Sequence, residues 1–238
     1  MVINMDKEKK TWLSHTALEA LNQCPRCFWL SYRLGIRQPE GFASRLPSRF
    51  DQIAKEYFNI FRQKRELPPI VKDTLSGQLE DPFQEVYFYS VDHKYGFYGK
   101  LDECLITPEG KYAPIDFKTS SVDPRNKREL FQSYQNQMDA YAFLLKEKNK
   151  PIADFGYLIY FYPDTIKDLE QGVPMVVHLE RVTTNPKTIL ARIIKAIDVL
   201  ESGMPEASEN CSFCQWREKI KNLKPADIKG KPKQSVIF

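Results

Sequence analysis

Gly99-Lys100-Leu101-Asp102, followed fourteen positions after that aspartate (116 − 102) by Asp116-Phe117-Lys118, decides how this chain folds. Ala113 to Thr119 reads as a strand, so Asp116 and Lys118, two apart, leave the same face. The run Gly96-Phe97-Tyr98-Gly99-Lys100-Leu101-Asp102 reads as another strand, which Cys104-Leu105-Ile106 continues to the turn signal Pro108-Glu109-Gly110. A hairpin through that turn sets Asp102 roughly opposite Asp116. Two carboxylates and an ammonium on one sheet face are not simply buried; they suit a hard divalent cation and an anionic substrate. That combination points to phosphodiester hydrolysis.

Outward from this stretch, the chain from Glu85 to Thr119 is rich in β-branched and aromatic residues and reads as a three-strand antiparallel meander. Upstream, Ser14 caps a helix carrying Leu18, Leu21 and Cys24, which breaks at Pro25 and resumes to Gly35. A helix from about Ser48 to Arg65 carries the stripe Phe50, Ile53, Ala54, Tyr57, Phe58 and Phe61. Pro68-Pro69 ends it, and a linker-like stretch runs to Pro82. Downstream, Pro124 to Lys148 reads as a long helix, Phe155–Tyr162 and Met175–Arg181 as strands, and Pro186–Glu201 as a helix. The expected fold is therefore α/β with a mixed sheet: helix, three-strand meander, helix, strand, with a helical N-terminal elaboration.

The sequence of 238 residues suits one domain, taken as residues 1–218, with a Lys- and Pro-rich tail at 219–238 expected to be poorly ordered. Lys plus Arg 35 against Asp plus Glu 31 leaves +4, which permits a nucleic-acid partner without demanding one. No run approaches the roughly eighteen apolar residues of a membrane span, and the first ten residues lack the apolar core of a secretory signal. A cytoplasmic protein with reduced or metal-bound cysteines is the expectation. His15, His93 and His178 are scattered without a Ser or Cys partner, so triad hydrolysis has no support. No phosphate-binding Gly-x-x-x-x-Gly-Lys-Ser/Thr loop is present.

Gly99-x-x-Asp102, then Asp116-x-Lys118, then Gln137-x-x-x-Tyr141 on a following helix resembles the PD-(D/E)XK nuclease superfamily. Within it the likeness is to the RecB-type branch, which includes the CRISPR-adaptation exonucleases and the AddAB and RecBCD nuclease domains. The resemblance spans about Ser14 to Cys214. It implies a restriction-endonuclease-like core in which Asp102 and Asp116 hold Mg²⁺ or Mn²⁺ and Lys118 orients the attacking water. Gln137 and Tyr141, which share a helix face, would contact substrate or support the lysine. It also implies a further metal ligand on the upstream helix, where Asp51 and Glu56 stand and Asp51 is favoured. The competing reading of Asp51 is a first-turn acid complementing the helix dipole.

Cys24-Pro25-Arg26-Cys27 and Cys211-Ser212-Phe213-Cys214 form two Cys-x-x-Cys pairs near opposite ends of the chain. Four such thiolates suit tetrahedral Zn²⁺ or a 4Fe-4S cluster, and joining them would staple the domain. In iron–sulfur members of the resembled branch one N-terminal cysteine joins three C-terminal ones. Here the last of those is missing and Cys27 is the candidate to replace it. Cys104 reads as packing.

Arg125, Lys127 and Arg128 are candidates for phosphate contacts, and Phe28, Trp29, Tyr95, Phe97 and Tyr98 for stacking on bases. The leading expectation is a metal-dependent nuclease acting on single-stranded or end-exposed DNA, in repair, recombination or foreign-DNA processing, with RNA and a partner helicase left open. The alternatives are a catalytically silent nucleic-acid-binding protein with the nuclease fold, and a redox metalloprotein built on the cysteines.

Overall fold

The computed structural model describes residues 10–39, 44–126, 130–164 and 172–222. In chain order its elements are β1 (Thr11–Leu13), α1 (His15–Gln23), α2 (Pro25–Leu34), α3 (Leu46–Lys64), β2 (Gln78–Leu79), β3 (Val86–Ser90), β4 (Tyr95–Lys100), β5 (Glu103–Ile106), β6 (Tyr112–Thr119), α4 (Gln132–Glu147), β7 (Phe155–Pro163), β8 (Met175–Thr183), α5 (Ile189–Glu201) and α6 (Ser212–Lys221). The chain divides into two units: Met1–Leu18 with Glu40–Ile197, and Glu19–Pro39 with Asp198–Phe238.

Among the described residues, the first unit holds every strand. A mixed five-stranded sheet has the order β2-β5-β6-β7-β8, and a three-stranded sheet has the order β1-β4-β3. β6 and β7 run parallel through the α4 crossover, while β5 and β8 flank them antiparallel. β6 is buried along most of its length, as expected of a strand with helices over both faces. Toward one face it sends Ala113, Ile115 and Phe117, which pack with Ala54 and Phe58 of α3. The Phe58 and Phe117 rings lie 4.9 Å apart. Each such aromatic or aliphatic side chain contributes about 1.5–3 kcal/mol when fully buried.

Local chemistry sets the helix ends. Ser14 Oγ accepts the Ala17 N–H at 3.3 Å, satisfying one of the orphan donors that open α1. Pro25 stands in the first turn of α2, where its missing N–H costs nothing. That helix closes on Gly35 at φ 67°, the left-handed cap that a side chain would strain.

Three differences from the sequence reading stand out. The expected meander is four strands divided between two sheets, because the chain leaves β4 at Lys100 and enters β5 at Glu103. Leu101 N–H bonds the Glu85 carbonyl on one side, whereas Phe117 N–H takes the Asp102 carboxylate on the other. The helix read from Pro124 begins as α4 only at Gln132. Asp123 Oδ1 accepts the Arg125 N–H at 2.9 Å and turns residues 124–126 into a short 3-10 segment instead. Finally, α6 extends ordered chain to Lys221, into the stretch assigned to the tail; residues 223–238 lie outside the described ones.

Gly99 explains its own place in the motif. A Cβ there would meet the Leu144 Cδ1 methyl at 2.6 Å and the Tyr141 ring at 3.4 Å. A side chain there would push on the Leu144 methyl where α4 packs over β4.

Candidate functional site

Alternation along β6 decides which side chains meet. With Ala113, Ile115 and Phe117 turned toward α3, Asp116 and Lys118 emerge beneath α4. The β5–β6 pairing of Glu103 with Ile115 sets Asp102 across from Asp116. Asp102 belongs to neither flanking strand, so its carboxylate substitutes for a ladder carbonyl: Oδ2 accepts the Phe117 N–H at 2.9 Å.

Asp116 is only 2% exposed. Its Oδ1 accepts from Gln137 Nε2 at 2.8 Å and from the Tyr141 hydroxyl at 3.3 Å. Gln137 Oε1 in turn accepts from Lys118 Nζ at 2.7 Å, and its Nε2 also reaches the Tyr141 oxygen at 2.7 Å. One amide thus ties the acid, the lysine and the tyrosine together. Lys118 Nζ lies 4.5 Å from the Tyr134 ring centroid, within cation–π range.

Asp116 Oδ2 lies 2.5 Å from Lys118 Nζ. That contact is an ion pair without hydrogen-bond geometry, and Oδ2 is left as a buried oxygen with no hydrogen-bond partner. Burial pushes the Asp116 carboxyl up to about 7; repulsion from Asp102 adds to the rise and Lys118 opposes it. Lys118 therefore offsets only part of the cost of burying this carboxylate beside Asp102. The donor set fits a hard divalent cation: two neighbouring carboxylates, one of them with an orphaned oxygen.

Metal binding to this acid must displace its proton. Below about pH 7 the affinity for Mg²⁺ or Mn²⁺ is expected to rise about tenfold per pH unit, levelling off above it. In the metal-free protein the same group favours the folded state most at pH below the ordinary carboxylate range. That contribution fades as the pH climbs to about 7, because the folded state holds the proton longer than the unfolded one. Calorimetric titrations at several pH values, in buffers of different ionisation heat, measure the proton released per metal bound.

Asp51 is joined to Asp102 through Lys55. Its Oδ2 is 2.9 Å from Lys55 Nζ, and the same ammonium is 2.7 Å from Asp102 Oδ1. Burial works against the charge on Lys55, but its hydrogen bonds to Asp102 and Asp51 hold its pKa above the ordinary lysine value. Lys55 was absent from the sequence reading; its one local signal is the Asp51-x-x-x-Lys55 spacing on a helix. His15 is also near, with its ring centroid 6.0 Å from that of Tyr141. A cleft of about 360 Å³ opens beside these groups, lined by Ser48, Asp51, Lys118, Thr119, Tyr134 and Phe161 among others.

Other candidates lie differently. Arg125 is bound to Asp123 at 2.6 Å and to the Tyr162 hydroxyl at 3.2 Å. Lys127 and Arg128 lie outside the described residues. Phe28, Tyr95 and Phe97 are buried in the core and so are not placed to stack on bases; Trp29 Nε1 donates to the Ser202 carbonyl at 3.1 Å. Two more buried acids are matched internally, Glu103 by Arg62 and Glu80 by Lys150.

In the second unit, Cys24, Cys27, Cys211 and Cys214 come together with all four sulfurs within 4.8 Å of one another. Among the described residues no other group of three or more His, Cys, Asp or Glu ligand atoms gathers so closely. Burial works against a thiolate at Cys24, yet hydrogen bonds from the backbone N–H groups of Cys27 and Ser208 bring its pKa down to about 7. Cys104 is fully buried in the first unit, and burial pushes its thiol well up; it has the inert character of packing.

Comparison with known proteins adds a family. A family model described as the PD-(D/E)XK nuclease superfamily matches residues 60–218. No curated protein matches the chain in sequence. Among solved structures, SSO0001 is similar at 18% identity and TM-score 0.44, over 92% of this chain and 88% of that one. An alkaline exonuclease from Laribacter hongkongensis is similar at 10% identity and TM-score 0.44, over 90% of this chain and 95% of that one. A phage-related exonuclease from Haemophilus somnus 129PT is similar at 13% identity and TM-score 0.41, over 86% and 84%.

Proposed function

Because the chain belongs to the PD-(D/E)XK nuclease superfamily, we propose that it is a divalent-metal-dependent nuclease that hydrolyses phosphodiester bonds in DNA, single-stranded or end-exposed, with the RecB-type branch as its affiliation. The observation that carries this reading is the buried Asp116 carboxylate, paired with Lys118 and set beside Asp102 at the edge of an open cleft.

Asp102 and Asp116 would hold Mg²⁺ or Mn²⁺. Such an ion supplies Lewis-acid activation of water and neutralises charge on the phosphate. Lys118, fixed by Gln137 Oε1 and the Tyr134 face, orients the attacking water and stabilises negative charge as it develops on the phosphoryl oxygens. Gln137 is a positioning residue: its amide cannot turn over without losing its bonds to both Lys118 and Asp116. Tyr141 buttresses Asp116 from the same helix.

The test is incubation of the protein and Asp116→Ala with end-labelled single- and double-stranded DNA in Mg²⁺, Mn²⁺ or EDTA. Metal-dependent cutting that the substitution abolishes is the expected result. A folded protein that cuts neither substrate in any metal would overturn the reading in favour of a silent binding protein.

Lys55 already bridges Asp51 and Asp102 as a cation, so it competes with an incoming metal for the same carboxylates. Lys55→Met is expected to bind Mn²⁺ about two- to fivefold more tightly, the scale of one partly exposed ion pair. Lys55→Arg should stay near wild type. Calorimetry on the DNA-free protein checks both.

A further inference from the structure

The two cysteine pairs occupy equivalent places. Cys24 and Cys211 are the N-cap residues of α2 and α6, each in extended backbone, and Cys27 and Cys214 follow in the first turn of the same helices. Both helices are ten residues long. Each therefore turns the positive end of its dipole and its free N–H groups toward its own pair of sulfurs, which stabilises thiolate over thiol.

Sulfur spacing then separates the metals that four cysteines can hold. Cys24 and Cys214 sulfurs are 3.9 Å apart, Cys27 and Cys211 3.8 Å, and Cys27 and Cys214 3.5 Å. No pair is bonded as a disulfide. A single tetrahedral ion with metal–sulfur bonds of about 2.3 Å places its ligand sulfurs about 3.8 Å from one another. An iron–sulfur cluster interposes its own core of iron and sulfide between the cysteines, so sulfurs bound to different irons are held far apart. Four sulfurs all within 4.8 Å of one another leave no room for that core.

From this geometry we propose that Cys24, Cys27, Cys211 and Cys214 hold one tetrahedral Zn²⁺ as a closed structural site, in place of the iron–sulfur cluster that the resembled branch implies.

The surroundings suit a compact tetrathiolate. Backbone N–H groups of Cys27 and Ser208 hydrogen-bond Cys24 Sγ, and the Gln38 amide hydrogen-bonds Cys27 Sγ, spreading the charge of the four sulfurs over the second shell. Arg26, inside the first pair, donates to the Pro205 carbonyl at 3.1 Å and to Glu206 at 2.6 Å. It thereby fixes the segment that leads into Cys211. Soft sulfur donors in tetrahedral array suit zinc, whose filled d shell imposes no competing geometry.

The experiment is elemental analysis of the full chain, purified without oxygen from cells supplied with both iron and zinc so that a cluster, if formed, survives. About one zinc per chain is expected, with no acid-labile sulfide and a colourless solution. Exchange with Co²⁺ should give the intense visible bands of a tetrahedral tetrathiolate. Cys27→Ser should lose the zinc, while Cys104→Ser keeps it. Iron with equimolar sulfide and a brown colour would overturn the proposal, as would iron without sulfide or a protein free of metal.

Discussion

On the proposed nuclease reading, Lys118→Met assayed at pH 8 is expected to bind Mn²⁺ about as well as the parent chain and to cut DNA about 10²- to 10³-fold more slowly, the range for losing one preorganised electrostatic contact to a transition state. Methionine keeps the aliphatic stem between Tyr134 and Gln137 and removes the charge together with the hydrogen bond to Gln137 Oε1. The pH matters because Lys118 opposes the upward shift of the Asp116 carboxyl. Without the ammonium the acid holds its proton to higher pH, so a measurement near pH 7 would confuse lost metal with lost catalysis. Single-turnover cleavage at saturating Mn²⁺, paired with a metal titration, separates the two. Equal loss of both quantities would assign Lys118 to holding the site together, and unchanged cutting would remove it from the reaction.

Cys214→Ser has the other large effect expected. Its sulfur lies 3.5 Å from Cys27 and 3.9 Å from Cys24, so the substitution deletes one corner of the tetrahedron. Structural zinc contributes on the order of 10–16 kcal/mol of apparent free energy in small zinc-binding peptides, more than the stability of most domains. Hydrogen exchange should show α2 and α6 losing protection while β6 and β7, whose order comes from the sheet and its apolar packing, keep theirs. Retained protection in both helices would show that apolar contacts alone hold the second unit.

The grouping of Asp116, Lys118, Gln137 and Tyr141 is legible because each sits on a regular element whose period fixes its direction, whereas Asp102 lies in the bend between β4 and β5 and joins them through the β5–β6 register. A two-residue step on a strand and a four-residue step on a helix carry most of that geometry. Lys55 was not legible in the same way. Its partner Asp51 is one helical turn away, but its second partner, Asp102, comes from a different element entirely. The same holds for Glu103 with Arg62 and Glu80 with Lys150, pairs 41 and 70 residues apart that only the folded chain creates. The change of sheet at Leu101 and Asp102 escaped because both flanking segments have the composition of strands, and strand propensity does not say which partner a strand will choose.

The second unit is sequence-discontinuous: Glu19–Pro39 and Asp198–Phe238 flank β2 to β8 in the sequence. Cys24 and Cys214 are 190 residues apart, so at bacterial to eukaryotic translation speeds they leave the ribosome about 10–40 s apart. For that interval the first pair waits with two ligands, too few to enclose an ion. A chain that stops before Cys211 holds the carboxylate pair and the strands but only half of the sulfur ligands, so the four-sulfur site closes only once the chain has been read through Cys214.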